Sequence, residues 1–227
     1  MIQKKLQQLL CQFLMNLSDY EKKIEISRQV LGDNSDFDAF QLFSILDSEK
    51  KNYINEINIF NFLQKKNGIS CKTQDIQFLI FIYDKDGDGR LSFTEFLNLV
   101  LCEKNLEIRK RARQRIGSKF GNTKLKITVQ FSILNLFQKE LELIKSSYNI
   151  LYNIFSLPDI KLCSLFNLIQ ISFFITQESV RIYLQKNFVE FEQSDILNII
   201  KRLDVKNKSK INFSDFRALF SYIDLNH

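Results

Sequence analysis

Apolar side chains recur at alternating spacings of four and three residues in two long stretches of the chain. This spacing places them along one side of a helix and predicts two long amphipathic helices. Held for about three heptads, the pattern fits either helices that pack lengthwise against another helix or ordinary core helices. The positions are Leu6, Leu10, Phe13, Leu17, Tyr20 and Ile24 in the first stretch, and Phe137, Leu141, Ile144, Tyr148, Leu151 and Phe155 in the second.

The segments that follow the two stretches repeat one another. Residues 37–46 align with 160–169, residues 53–65 with 174–186, and residues 84–95 with 204–215. The offset falls from 123 to 121 and then to 120 residues, as small deletions after an old duplication would leave it. Each copy contains two helix-loop-helix units, which we expect to pair because one unit cannot bury its apolar face alone.

One of these loops, residues 84–95, has the sequence DKDGDGRLSFTE. In the twelve-residue calcium loop of an EF-hand, oxygens come from positions 1, 3, 5, 7, 9 and 12, and position 6 is a glycine. Gly89 stands at position 6, where it permits a positive-φ turn. The predicted Ca²⁺ ligands are Asp84, Asp86, Asp88, the backbone carbonyl of Arg90, Ser92 directly or through water, and Glu95 through both carboxylate oxygens. Mg²⁺ remains an alternative occupant.

The other three loops lack this ligand set, so we expect one metal site and a fold class of all-α with two tandem EF-hand pairs. The ligand positions hold Lys51 and Asn58 in the 47–58 loop, Phe173 and Phe174 in the shortened loop near 170–179, and Lys206 and Lys208 in the 204–215 loop. Loops within a pair are expected to join through a short strand at position 8. The position-8 residues are Ile54, Leu91, Ile175 and Ile211.

Composition and charge refine this organisation. One Pro and six Gly suit long helices joined by short loops. We expect a helix and EF-hand pair over residues 1–103, a basic helix or linker over 104–126, and a long helix with a degenerate pair over 127–227. The middle range has nine Lys and Arg against one Glu, in a chain of net charge +6. It is either a surface for an acidic protein partner or a solvated helix face.

Several classes of protein are disfavoured. No run of eighteen apolar residues and no apolar signal segment occurs, so we expect a cytoplasmic chain without a membrane span. One His, and the lack of a nucleophile elbow or phosphate-binding loop, argue against an enzyme. Nucleic-acid binding is disfavoured because Phe120 is the one aromatic residue in the basic range. The four cysteines, expected to be buried thiols, are Cys11, Cys71, Cys102 and Cys163.

The string YDKDGDGRLSF at residues 83–93, and the apolar helix after it, resemble the calmodulin superfamily. More narrowly, the chain resembles four-EF-hand proteins of ciliates and algae, in which a helix precedes each pair. The resemblance implies calcium binding through Asp84, Asp86, Asp88, Arg90 by its carbonyl, and Glu95, and association with cilia and microtubules. The third and fourth loops depart from the family pattern, which puts four-site or switch-like behaviour in doubt.

Two functions follow from these observations. The first is a calcium-binding structural protein, a scaffold component of a cytoskeletal or ciliary assembly such as the axonemal microtubule, with tubulin or other axonemal proteins as partners. One competent loop and only two Met residues favour it, because adaptable sensor grooves are rich in Met. The alternative is a regulatory calcium sensor of calmodulin type that binds target helices when its single site is loaded.

Overall fold

The computed structural model describes residues 2–65, 68–119 and 124–221, and these ranges are helical. Strand pairing within them is limited to three isolated antiparallel bridges. The all-α prediction is therefore confirmed for the described residues. The elements are α1 Ile2–Asp33, α2 Ala39–Leu46, α3 Glu56–Phe60, a π-helical segment Asn61–Lys65, α4 Thr73–Tyr83, α5 Phe93–Val100, α6 Leu106–Gln114, α7 Ile127–Phe155, α8 Leu162–Ile169, α9 Gln177–Lys186, α10 Gln193–Leu203 and α11 Phe213–Phe220.

Contacts divide the described chain into two compact units, which we name by their position in the sequence. The central unit is residues 22–142, and the terminal unit is the residues up to 21 together with those from 143 onwards. Both α1 and α7 continue from one unit into the other, so each unit includes part of both helices. The units therefore depart from the expected ranges 1–103, 104–126 and 127–227, because a linear division assigns each long helix to a single pair.

In the central unit, the second half of α1 packs against the first half of α7. Asn135 donates from its side chain to Ser27 Oγ at 3.1 Å, and Asn34 donates to Thr128 Oγ1 at 3.2 Å. Buried apolar side chains of the two helices lie beneath these bonds, and they include Ile24, Leu31, Ile133 and Phe137. Of the two interpretations of the apolar spacing, packing against another helix of the same chain is the one found here.

The start of α2 is fixed by Asp38, which is fully buried. One carboxylate oxygen caps the helix by accepting from the backbone N–H of Phe40 at 2.8 Å. The same side chain accepts from the N–H groups of Gly117 at 3.1 Å and Lys119 at 2.8 Å, after the end of α6. Asp38 thus joins the first helix of the pair to the basic range, which explains how a carboxylate is buried without a cation at its side.

The terminal unit is built on the first part of α1 and the second part of α7. Ser146 donates to the Asn16 side chain at 2.7 Å, and Phe13 lies 6.2 Å from Phe220 between ring centroids. Glu21 pairs with Lys201 at 2.7 Å and with Arg202 through two guanidinium nitrogens. These contacts fix α10 and α11 on the two long helices.

The cysteines are free thiols, and one expectation about them is wrong. Cys11, Cys71 and Cys102 are buried, and burial raises the pKa of the Cys11 and Cys102 thiols. Cys163 is exposed, because the buried face of α8 is formed by Leu165, Phe166 and Ile169 instead. Among the described residues, no helix is both long and apolar enough to cross a membrane.

Candidate metal centre

The 84–95 loop is held between α4 and α5 by regular backbone contacts at both ends. Asp84 ends α4, with its N–H donating to the Ile80 carbonyl at 2.8 Å. Ser92 begins α5 as its N-cap. Between them, Leu91 exchanges two backbone hydrogen bonds with Ile54, at 2.8 and 2.9 Å. This bridge confirms the predicted position-8 pairing of the 47–58 and 84–95 loops.

The turn of the loop is made by two glycines with positive φ. Gly87 and Gly89 both have φ of 79°, a conformation that side chains disfavour. A Cβ added at either position would meet no atom within 4 Å, so backbone conformation and not space requires glycine there. The turn aims both N–H groups at Asp84, whose two oxygens accept from Gly87 at 2.7 Å and Gly89 at 2.8 Å. The role of Gly87 is absent from the sequence-based prediction.

Three predicted ligands come together at the mouth of this turn. Carboxylate oxygens of Asp84, Asp86 and Asp88 all lie within 4.8 Å of one another. Asp84 is buried, whereas Asp86 and Asp88 are exposed. Asp86 accepts from the N–H of Asp88 at 3.2 Å, and Asp88 accepts from the N–H of Arg90 at 2.9 Å, which orients both side chains along the loop.

The carboxylate of Glu95 connects the end of the loop to its beginning. One oxygen accepts from the N–H of Lys85 at 2.7 Å and, more weakly, from that of Asp86 at 3.4 Å. The other accepts from Ser92 through its N–H at 2.9 Å and its hydroxyl at 2.7 Å. Glu95 therefore lies within the loop, and the Ser92 hydroxyl positions it while capping α5.

The electrostatics of the loop differ between its buried acids. Burial raises the pKa of Asp84 despite the N–H groups of Gly89 and Gly87, and the neighbouring acids Asp86 and Glu95 raise it further. Burial alone would raise the pKa of Glu95 too, but its hydrogen bonds from Ser92, Lys85 and Asp86 outweigh burial and lower it. A divalent cation would relieve the repulsion that crowds Asp84.

Arg90 presents no positive charge to the three aspartates. Its guanidinium carbon lies 4.2 Å from the centroid of the Tyr53 ring, in the first loop of the pair. Position 7 can therefore contribute its carbonyl while its side chain is stacked elsewhere.

The donor set fits a hard cation such as Ca²⁺, which takes six to eight oxygens. Asp84, Asp86, Asp88 and Glu95 would hold it with the Arg90 carbonyl, while the hydrogen-bond positions of Ser92 favour a role through Glu95. A bound ion would join the two helices through the loop and neutralise its acids. The choice between Ca²⁺ and Mg²⁺ stays a prediction.

Two other loops keep the turn without its glycines. Positions 4 and 6 have positive φ in the 47–58 loop, at Lys50 and Asn52, and in the 204–215 loop, at Asn207 and Ser209. In the first of them, Asp47 accepts from the N–H groups of Lys51 at 2.8 Å and Asn52 at 2.7 Å, and Lys51 pairs with Glu49. A lysine thus stands beside the acids of this loop.

The short loop after α8 is a tight reversal. Ser172 and Phe173 both have positive φ, and Ile171 pairs with Phe174 across them. The Phe173 ring is exposed. Within this loop the described side chains offer no carboxylate, which agrees with the ligand loss expected from the sequence.

Comparison with known proteins agrees with this geometry. Residues 36–101 match the family model of the EF-hand domain pair. This part of the chain is therefore an EF-hand pair of the calmodulin superfamily, and the pair implies calcium binding.

The curated relatives include the type 2 regulatory-pair protein calcineurin B from three mammals. The bovine protein is 40% identical over 72 residues, which cover 30% of this chain and 41% of the relative. The human protein is 40% identical over 73 residues, with the same two shares, and the mouse protein is 37% identical over 73 residues, covering 30% and 39%. The chain spans about two fifths of the length of these relatives.

One residue beside the site is absent from the sequence-based prediction. Arg28 of α1 is fully buried, and its guanidinium donates to the hydroxyl of Tyr83 at 2.6 Å. Tyr83 directly precedes the first ligand, Asp84. The contact joins α1 to the metal loop across 55 residues of sequence, a separation that a local pattern does not reveal.

Proposed function

We propose that this chain is a calcium-binding structural protein, in which the EF-hand pair holds the chain's own helices where a sensor would hold a target. The observation that carries the proposal is the buried contact of Arg28 with the helices on both sides of the 84–95 loop. The regulatory sensor is the alternative, and it requires those helices to move apart from their present partners.

Arg28 contacts three other helices of the central unit. Its Nε donates to the carbonyl of Leu99 in α5 at 2.9 Å, and its guanidinium reaches Tyr83 at the end of α4. It also pairs with Glu140 of α7 at 3.3 Å, and the Tyr83 hydroxyl donates to the same Glu140 oxygen at 2.5 Å. Both Arg28 and Glu140 have 0% exposed side chains. Separating α4 from α5 would strip these charges of partners, at a cost of about 3–5 kcal/mol.

Apolar packing supports the same interpretation. Phe137 of α7 is fully buried and lies 6.3 Å from Phe62 of the pair, between ring centroids. Ile133 of α7 and Leu31 of α1 are also fully buried. A target helix would have to displace side chains that are already packed, at roughly 1.5–3 kcal/mol for each large one exposed.

We also propose that residues 162–221 are a second, degenerate EF-hand pair. Ile175 and Ile211 exchange backbone hydrogen bonds at 2.9 and 3.0 Å, as Ile54 and Leu91 do. The ring of Phe166 lies 5.4 Å from that of Phe213 and 5.6 Å from that of Phe216. In the central unit, the aligned ring of Phe43 lies 5.2 Å from Phe93 and 5.6 Å from Phe96. Matching bridges and aromatic clusters are what a duplication would preserve.

The partner that we propose is an acidic protein surface, met by the exposed side of α6. Several basic residues of the 104–126 range are engaged within the chain. Arg111 pairs with Asp33 at 2.6 Å, Arg115 donates to the Gly32 carbonyl at 2.5 Å, and Lys126 pairs with Asp36 at 2.8 Å, which lowers the pKa of Asp36. These bonds support the solvated-linker interpretation for the end of the range.

The outward side of α6 differs from that end. A shallow cavity of about 390 Å³ there is lined by Leu106, Arg109, Lys110, Arg113 and Gln114. Lys110 and Arg113 are exposed, as is the apolar side chain of Leu106 at 71%. Cations around an apolar side chain suit an acidic protein segment with one apolar anchor. The curated relatives are named as subunits, which supports a protein partner. An axonemal scaffold and a tubulin partner remain proposals that rest on the family resemblance and this charge.

Hydrogen exchange with and without calcium tests the structural function against the sensor. We expect calcium to slow exchange in the 84–95 loop and to leave the amides of α7 residues 129–142 within about twofold of their calcium-free rates. The Glu95→Ala variant, which should lose the site, is the matched control and should show no calcium effect in either segment. Faster exchange in α7 upon calcium binding, together with new binding of an apolar dye, would establish the sensor instead.

A second experiment tests the partner surface. Lys110→Glu/Arg113→Glu reverses two charges on the proposed surface, while Lys201→Glu changes a lysine in another part of the chain. A pull-down from ciliated cells should lose an acidic partner with the first variant. Equal capture by the double variant and the native chain would remove α6 from consideration as the docking surface.

A further inference from the structure

The 204–215 loop has the shape of the metal loop although its sequence opposes metal binding. Asp204 ends α10, with its N–H donating to the Ile200 carbonyl at 2.7 Å. Its oxygens accept from the N–H groups of Lys208 at 2.9 Å and Ser209 at 2.6 Å. Asn212 then caps α11 by accepting from the N–H of Asp215 at 2.8 Å. Position 1, the turn and the helix start are therefore in the same arrangement as at Asp84, Gly89 and Ser92.

This shape is disfavoured by the residues that adopt it. Asn207 has φ of 52° and Ser209 has φ of 62°, where the 84–95 loop has two glycines. Residues other than glycine adopt this conformation at a cost, so a compensating interaction is required to hold the turn.

The compensating interaction is an ammonium group inside the loop. Lys208 Nζ lies 3.2 Å from both carboxylate oxygens of Asp215, and Lys206 Nζ lies 3.7 Å from one of them. Lys208 occupies position 5 and Asp215 position 12, two positions that a bound cation joins in a metal loop. The lysine joins them directly, through a side chain that belongs to the loop itself.

The charges of the two loops are opposite in sign. The 84–95 loop has four acids against Lys85 and Arg90, so it is negative. The 204–215 loop has Asp204 and Asp215 against three lysines, so it is positive and repels a divalent cation. Its acids already have a counterion.

We infer that the ammonium of Lys208 is a built-in cation, which closes the 204–215 loop in place of a metal and makes the arrangement of α10 and α11 independent of calcium. The inference rests on the proposed degenerate pair for the alignment of the two loops. In one copy of the duplicated unit the charge that closes the loop arrives from solution, and in the other it is encoded in the chain.

Hydrogen exchange in calcium-free buffer tests the role of Lys208. In Lys208→Met the side chain keeps its length and loses its charge, and we expect the amides of Ser209 and Ile211 to exchange about tenfold faster. Lys210→Met is the matched control, because the ammonium of Lys210 lies over the ring of Phe174, 5.8 Å from its centroid, and makes no such pair. The control should stay within about twofold of the native rates. Equal rates for Lys208→Met and the native chain would overturn the inference.

A gain of metal binding tests the alignment separately. Lys206→Asp/Lys208→Asp places carboxylates at positions 3 and 5, and calorimetry should then show a second calcium-binding event that the native chain lacks. Binding in this variant with no exchange effect in Lys208→Met would retain the degenerate pair and reject the built-in cation. Calcium binding to the 204–215 loop of the native chain, detected as a second event that survives Glu95→Ala, would also reject it.

Discussion

Replacing Arg28 by Met tests the buried network that connects the metal loop to α1 and α7. The substitution keeps an extended side chain but removes the hydrogen bonds to Leu99 and Tyr83 and the ion pair with Glu140. Glu140 is left as a fully buried charge whose cationic partner is gone. Breaking a buried pair in this way costs about 3–5 kcal/mol, far more than the loss of an exposed one.

The expected effect is large enough to measure by thermal unfolding. At about 2–4 °C per kcal/mol for a chain of this size, the melting temperature should fall by roughly 6–20 °C. Circular dichroism at 222 nm, a wavelength that reports helix content, follows the transition. Arg113→Met is the matched control, an exposed arginine of α6, and it should change stability by no more than about 0.5 kcal/mol.

A double variant separates the charge from the lost packing. In Arg28→Met/Glu140→Gln the amide oxygen still accepts from Tyr83, and no unpaired charge remains. It should recover about 1–3 kcal/mol relative to Arg28→Met. A melting temperature of Arg28→Met within about 2 °C of the native chain would refute the reasoning, as would a double variant no more stable than the single one.

Three further changes have expected outcomes. Glu95→Ala should abolish measurable calcium binding by the chain, because position 12 supplies two ligand oxygens, and a calorimetric isotherm that survives would show that another loop binds. Gly89→Ala, at φ of 79°, should lower the stability of the calcium-free protein by about 1–2 kcal/mol in urea unfolding, whereas Gly89→Asn should lose less. Gly32→Val should cost about 1–3 kcal/mol by the same assay, because even a Cβ at Gly32 lies 2.9 Å from Ile108 Cγ2; an unchanged midpoint would mean that α6 shifts freely.

Much of the helical fold could be predicted from local pattern. Nine of the twelve apolar stripe positions are buried, and Tyr20, Tyr148 and Phe155 are partly buried. Both position-8 bridges, Ile54 with Leu91 and Ile175 with Ile211, form as expected. Such features depend on spacing within one helix or one loop, which is why the sequence contains them.

Contacts between distant segments could not be predicted in this way. The stripe of α1 stops at Ile24, since the next position in its spacing is Arg28, and a lone arginine reads as a residue facing solvent. Its burial depends on Tyr83 and Glu140, which are 55 and 112 residues away. The sharing of α1 and α7 between two units is hidden for the same reason, because periodicity identifies a buried face without identifying what covers it.

The turns of the degenerate loops are the other feature that a motif misses. A motif search treats Asn52 and Ser209 as losses, because it expects glycine at position 6. The structure keeps positive φ at both, with the N–H of each donating to the first aspartate of its loop, at 2.7 Å in Asn52 and 2.6 Å in Ser209. The first aspartate therefore organises the turn through backbone donors, which any residue supplies. Metal ligands can then be lost one at a time while the turn and the bridge at position 8 remain, so the loop's shape outlasts its affinity for calcium.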